Sequence, residues 1–211
     1  MPVGVPVVYC PTGDGGAESQ PARPTSPTST TLDLPASLAD VKLAEYTDYE
    51  NVTGAIAPAG WACEVAIGVD SDSYFVATPH EADLPTDQGV FPSPAAPHIE
   101  VRDSGDSAGY AAELVCGLIL PASAADDFGG CDARPAGEVV HRINANTVSF
   151  VDPPSSGSQY RTLGRMVYFP STGYSTAYVL LCQLPESQQA ICNALEAGFV
   201  SDDPPASPGS H

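Results

Sequence analysis

Six cysteines, set within two stretches that echo one another, constrain this chain more than any other feature. Pro58-Ala59-Gly60 opens a stretch that runs through Tyr74-Phe75-Val76 to Pro79. Pro135-Ala136-Gly137 opens a second that runs through Ser149-Phe150-Val151 to Pro153-Pro154. Later in the first copy, Ala112-Glu113-Leu114-Val115-Cys116 leads through Pro121 and Ser123 to Cys131. Later in the second, Tyr178-Val179-Leu180-Leu181-Cys182 leads through Pro185 and Ser187 to Cys192. The echo predicts two related β-rich units, about 58–131 and 135–199, each a pair of hairpins followed by a stapled helix.

An even number of cysteines fits disulfides formed in an oxidising, extracytoplasmic compartment. No CxxC pair is present, so neither a zinc ribbon nor a thioredoxin-like motif is supported. Matching positions in the two copies favour Cys116–Cys131 and Cys182–Cys192, which leaves Cys10 for Cys63. A rival pattern joins Cys63 to Cys116, Cys131 to Cys182 and Cys10 to Cys192. No basic n-region or long apolar stretch opens the chain, so secretion is inferred from the cysteines and not from a leader.

Charge narrows the partners. The chain has 26 acidic residues against 7 basic ones, for a net charge of −19. Such a surface repels phosphate backbones and anionic membranes, so neither nucleic acid nor a lipid surface is an expected partner. No apolar run approaches the ~18 residues of a membrane span.

The first ten residues are apolar and Val-rich, interrupted by Pro2 and Pro6, and read as a short edge strand. Residues 11–36 are rich in Pro, Gly, Ser and Thr without periodicity and read as a disordered linker. Residues 37–200 form the expected globular domain, and 201–211 a loose tail. Ser37 to Tyr46 is read as one or two helical turns, with a short strand as the alternative.

Strands are expected at Trp61–Val69 and Ser73–Ala77, at His98–Arg102 and Ala111–Leu120, at Glu138–Ile143 and Thr147–Val151, and at Arg165–Phe169 and Thr176–Gln183. Turn-forming residues separate each pair. Helices are expected at Pro121–Phe128 and Pro185–Ala197, the second with Pro185 at its start and Gly198 at its stop. The fold class is therefore α+β, mainly antiparallel β with two short helices.

Gly105-Asp106-Ser107-Ala108-Gly109 matches G-x-S-x-G, a pattern that exposes a serine between strand and helix. The segment resembles the nucleophile elbow of hormone-sensitive-lipase-type esterases. That resemblance implies Ser107 as nucleophile, His141 as base, and Asp126, Asp127 or Asp132 as acid. No HGGG-type oxyanion loop lies upstream, and a hairpin tip is the simpler reading of the same residues. Val179-Leu180-Leu181-Cys182 through Pro185 to Cys192-Asn193-Ala194-Leu195 resembles the stapled strand and helix of subtilisin-inhibitor-like proteins. The whole chain is similar in style to secreted proteins of GC-rich Gram-positive bacteria, a similarity that implies no activity.

His80, Glu81, Asp83 and His98 lack the spacing of a metal motif, and Asp70-Ser71-Asp72 and Asp126-Asp127 lack that of an EF-hand. No cofactor is expected. The expected function is a secreted, non-catalytic protein-binding module, adaptor or inhibitor-like. Its partner would be another secreted or cell-surface protein, engaged through residues 1–10 by strand pairing. The competing expectation is a small secreted serine hydrolase using Ser107.

Overall fold

A computed structural model describes residues 2–12, 29–48, 53–68, 72–84, 96–128, 130–131, 133–155, 158–171 and 175–199. Its four N-terminal strands are β1 (Pro2–Tyr9), β2 (Ser29–Asp33), β3 (Leu43–Thr47) and β4 (Gly54–Pro58). They form one sheet in the order β2-β1-β3-β4. The first half of β1 pairs antiparallel with β2, from Pro2 opposite Asp33 to Pro6 opposite Ser29. Its second half, Val7 to Tyr9, pairs parallel with β3. Changing neighbours midway leaves one side of Pro2–Pro6 open, which suits residues that cannot donate a ladder hydrogen bond.

Two expectations change here. Part of the expected linker is a strand, since Ser29–Asp33 supplies the partner of β1; residues 13–28 lie outside the described residues. The segment from Ser37 divides into a 3-10 turn at Ala36–Leu38 and the strand β3. Local helical spacing around Leu38 and the alternation of Val41 and Leu43 each describe one half of it.

Seven further strands and two helices follow: β5 (Ala62–Ile67), β6 (Ser73–Thr78), β7 (His98–Asp103), α1 (Ala108–Val115), β8 (Val139–Asn144), β9 (Thr147–Asp152), β10 (Thr162–Phe169), β11 (Thr176–Gln183) and α2 (Gln189–Gly198). The strands form one antiparallel sheet in the order β5-β6-β7-β11-β10-β9-β8. The protein is thus α+β and predominantly antiparallel. Two meanders enter the sheet from opposite edges, one from β5 and one from β8, and meet where β7 pairs with β11. Both begin at a Pro-Ala-Gly turn whose glycine takes a positive φ, 90° at Gly60 and 93° at Gly137, a conformation that costs glycine little.

The echo between the copies breaks at the fourth element. Ala112–Val115 lies in α1, whereas the matching Tyr178–Cys182 lies in β11. The expected strand Ala111–Leu120 is therefore a helix in its first half. Ala108, Ala111 and Ala112 favour a helix, and Ser107 caps it. Thr176, Tyr178 and Val179 are β-branched or aromatic, and β11 gains ladders on both sides from β7 and β10. Pro121–Phe128 is realised as a 3-10 segment, Ala122–Phe128. Pro185–Ala197 becomes a 3-10 turn, Glu186–Gln188, leading into α2.

Alternation along the strands splits the core by face. Val65, Phe75, Ile99, Val101, Leu180 and Leu184 point to the four-stranded sheet and α2, where Leu38, Leu43, Tyr46 and Ile191 meet them. On the other face, Ala111 and Val115 of α1 cover Val148, Phe150, Met166, Ala177 and Val179. Three disulfides staple these layers. Cys10–Cys63 ties the end of β1 to β5, and so one sheet to the other. Cys182–Cys192 ties β11 to α2, and Cys116–Cys131 closes the segment after α1. The bridges formed are those that matching positions favour, and the rival pattern is not formed.

Candidate functional site

The serine motif does lie between a strand and a helix. Asp103 closes β7, Gly105 turns with φ 52°, and α1 begins at Ala108. Ser107, however, has φ −83° and ψ 95°, an unstrained extended conformation, and its Oγ accepts a hydrogen bond from the Tyr110 N–H at 3.3 Å. That is the geometry of a helix N-cap.

The expected base stands elsewhere. His141 is in β8, four strands from β7, or roughly 19 Å at the usual strand spacing. It pairs with Ser149 and so faces away from α1. Asp126 is exposed in the 3-10 segment after α1. Asp132 and the side chain of Asp127 lie outside the described residues. The structure does not bring Ser107, His141 and Asp126 together.

What the α1 face does carry is a cleft of about 370 Å³ between the helix, the Arg134–Pro135 segment and the seven-stranded sheet. Its floor is set by register. His98 of β7 is opposite Gln183 of β11, Gln183 is opposite Thr162 of β10, and Thr162 is opposite Asp152 of β9. Four polar side chains thus form one row across four strands, on the face that α1 covers. Thr162 Oγ1 donates to Gln183 Oε1 at 3.1 Å, and Gln183 Nε2 donates to the Ala96 carbonyl at 3.1 Å. The His98 Nδ1 is 2.9 Å from the same carbonyl. Both His98 and Gln183 are almost wholly buried, so the row is held by its own bonds.

One residue pair along β7, the next polar group is Glu100, fully buried. It accepts from Arg102 Nε at 2.5 Å and from Tyr74 Oη at 3.3 Å, and it lies 3.9 Å from His98 Nε2. Removing a carboxylate from water is costly, and the guanidinium and hydroxyl offset that cost. Burial first, and then the Glu100 charge, push the Tyr74 hydroxyl far above its usual range.

At the opposite end, Arg134 bonds Glu138 through Nε at 3.0 Å and also through Nη2. The same Nη2 is 3.8 Å from Asp152 Oδ1, and the guanidinium stacks over Phe150 at 4.7 Å from the ring centroid. Burial raises the Asp152 carboxyl to about 6; Arg134 opposes the rise and Glu138 adds to it.

Of this row, sequence reasoning weighed only His98 as a candidate site residue, at the start of the expected strand His98–Arg102 and without the spacing of a metal motif. The available signal was His98-x-Glu100-x-Arg102, three charged or titratable residues on one face of a strand. Alternation alone assigns such a face to solvent, and only α1 packing over it makes it an interior. His98 and Asp152 are three strands apart, about 14 Å, too far to exchange protons with one reacting atom. The arrangement suits holding a ligand against a mixed polar and apolar wall.

A second surface feature lies at the sheet edge. Val139, Val140 and Ile143 of β8 are 53%, 40% and 47% exposed. They are three of the four exposed large apolar side chains among the described residues, and the fourth, Ile67, lies on the other edge strand, β5. A bulge between Arg142 and Asn144 closes the regular part of the β8 edge. The expected donor strand, by contrast, is already engaged, because β1 pairs with β2 and β3 and is pinned by Cys10–Cys63.

Among the described residues, no group of three His, Cys, Asp or Glu side chains converges on a metal-sized site. No helix there is long and apolar enough to cross a membrane. Comparison with protein-family models, with curated proteins and with solved structures finds no match to this chain.

Proposed function

We propose that this protein is a secreted, non-catalytic protein-binding module whose partner adds a strand to β8. The observation that carries the reading is the exposed apolar edge of β8, with Val139 and Val140 exposed on opposite faces of the strand ahead of the bulge. Edge strands present unpaired backbone donors and acceptors, and natural proteins usually blunt them. A partner strand would satisfy those groups and cover the valines, the mode known as strand addition. The three disulfides support an extracytoplasmic setting. The separation of Ser107 from His141 speaks for binding over hydrolysis. The binding strand in this reading is β8 in place of residues 1–10, because β1 already pairs with β2 and β3 within the chain, with only one side of Pro2–Pro6 left open.

The test is site-specific photo-crosslinking in the producing culture, with the reactive residue at position 140 and, as a control, at position 67. A defined partner captured from 140, and lost when Val139 is changed to Lys, is the expected outcome. Equal capture from both positions, or none from 140, refutes the reading.

A further inference from the structure

A second cavity, of about 260 Å³, lies on the other face of the seven-stranded sheet, between that sheet, the 3-10 turn before β3, β4 and α2. Its floor is the cross-strand pair Val101 and Leu180, both buried near the middle of the sheet. Ile56 of β4 and Leu195 and Phe199 of α2 form walls that are only half-buried, so part of the lining is open to solvent. No residue that lines this cavity carries a polar side chain. In that it differs from the cleft under α1, whose floor is the polar row.

Small residues and a helix held at two points keep the space open. Gly54 and Ala55 face it from β4, and Ala194 and Gly198 from α2. Cys182–Cys192 fixes the first half of α2 to β11. Arg165 of β10 fixes the last turn, donating from Nη1 to the Glu196 carbonyl at 2.5 Å. Ala194 and Leu195 lie between these two ties, so the helix cannot settle onto Val101 and Leu180. Protein interiors seldom leave voids larger than a water molecule, and an apolar void offers water no hydrogen-bond partners.

From this geometry we infer that the cavity is a binding site for a neutral, apolar small molecule of roughly ten carbon atoms, scaled from the ~150 Å³ of an apolar cavity that holds benzene. The hydrocarbon part lies on Val101 and Leu180, under Ile56 and Leu195. A polar group carried to that depth would meet no side-chain partner and would be costly to bury. The net charge of −19 disfavours an anionic head group at the opening, which selects a neutral ligand over a fatty-acid carboxylate. Residues 201–211 hold no large apolar side chain that could fill the space in its place. The site is on the face away from α1 and does not depend on strand addition at β8.

Titration of the intact, oxidised protein with naphthalene, decanol and decanoate, followed by methyl resonances, tests this. The expected result is saturable binding of naphthalene and decanol that shifts the methyl signals of Ile56, Leu180 and Leu195 and leaves those of Val148 and Met166, on the α1 face, in place. Decanoate should bind at least several-fold more weakly at low salt. Ala194→Leu should fill the space, weakening binding about tenfold or more while the thermal midpoint is held or raised. A lowered midpoint would show that the space is already taken and would overturn the inference. So would the absence of saturable binding, shifts confined to the α1 face, equal binding of decanoate, or unchanged affinity in Ala194→Leu.

Discussion

The ring of Phe150 in β9 lies across Gly164 in β10, its direct cross-strand partner, and occupies the space where a side chain on residue 164 would stand. Arg134 stacks over the same ring. Phe150 is thus clamped between a bare stretch of backbone and a guanidinium, and it forms part of the cleft wall. Gly164→Ala is expected to destabilise the protein by about 1–3 kcal/mol, because the ring must leave its rotamer. Adding Phe150→Leu to Gly164→Ala should recover part of that loss, whereas the two changes would add if the residues did not meet. Urea unfolding of the single and double variants measures the coupling.

Ser107 is expected to behave as a cap. Ser107→Ala should cost about 1 kcal/mol through the lost bond to Tyr110 N. A fluorophosphonate probe should label neither the variant nor the wild type. Labelling of the wild type that vanishes in the variant would make Ser107 a nucleophile despite its distance from His141.

The disulfides should differ in worth. Cys10–Cys63 spans 53 residues and Cys182–Cys192 spans 10. Loop-closure entropy alone makes the longer bridge about 1.5 kcal/mol more stabilising. Replacing each pair with alanines and comparing denaturation midpoints checks this. The Cys10–Cys63 variant should also expose the β1 amides to hydrogen exchange, since that bridge holds the strand to the larger sheet.

Stability should fall as pH rises through mild acid. Asp103 and Asp152 are both raised to about 6, in each case first by burial. The unfolded chain releases these protons near 3.8. The folded form binds more protons between those values, so the contribution is complete below pH 3.8 and is lost as pH passes 6. Asp103→Asn with Asp152→Asn should flatten the profile across that window, as read from denaturant unfolding at successive pH values. Asn at 103 retains an acceptor for the Gly105 N–H.

Local chemistry made much of the fold legible. Turn residues between β-branched runs marked the hairpins β5–β6, β8–β9 and β10–β11, and Pro185 and Gly198 bracketed the region of α2. Matching cysteine positions favoured the pairs that the structure joins, with a rival pattern left open. These features depend on neighbours in the chain, on backbone preference and on short loops. The fate of Ala112–Cys116 and Tyr178–Cys182 was decided differently. Similar letters became a helix in one copy, where Ser107 caps it, and a central strand in the other, where β7 and β10 provide ladders on both sides.

The cleft was beyond local reading altogether. His98, Gln183, Thr162 and Asp152 come from four strands that are far apart in sequence, and only the register of β7, β11, β10 and β9 sets them in a row. Whether such polar side chains face water or an interior depends on what covers them, and that was settled by α1 packing over the sheet. By itself the sequence determined the hairpins and the class of fold, because propensity and alternation act over short distances, and it favoured one of two cysteine patterns. Only the tertiary structure decided that β1 is held, that β8 is open and that the polar row lines a cavity, because neighbours remote in the chain create each of these.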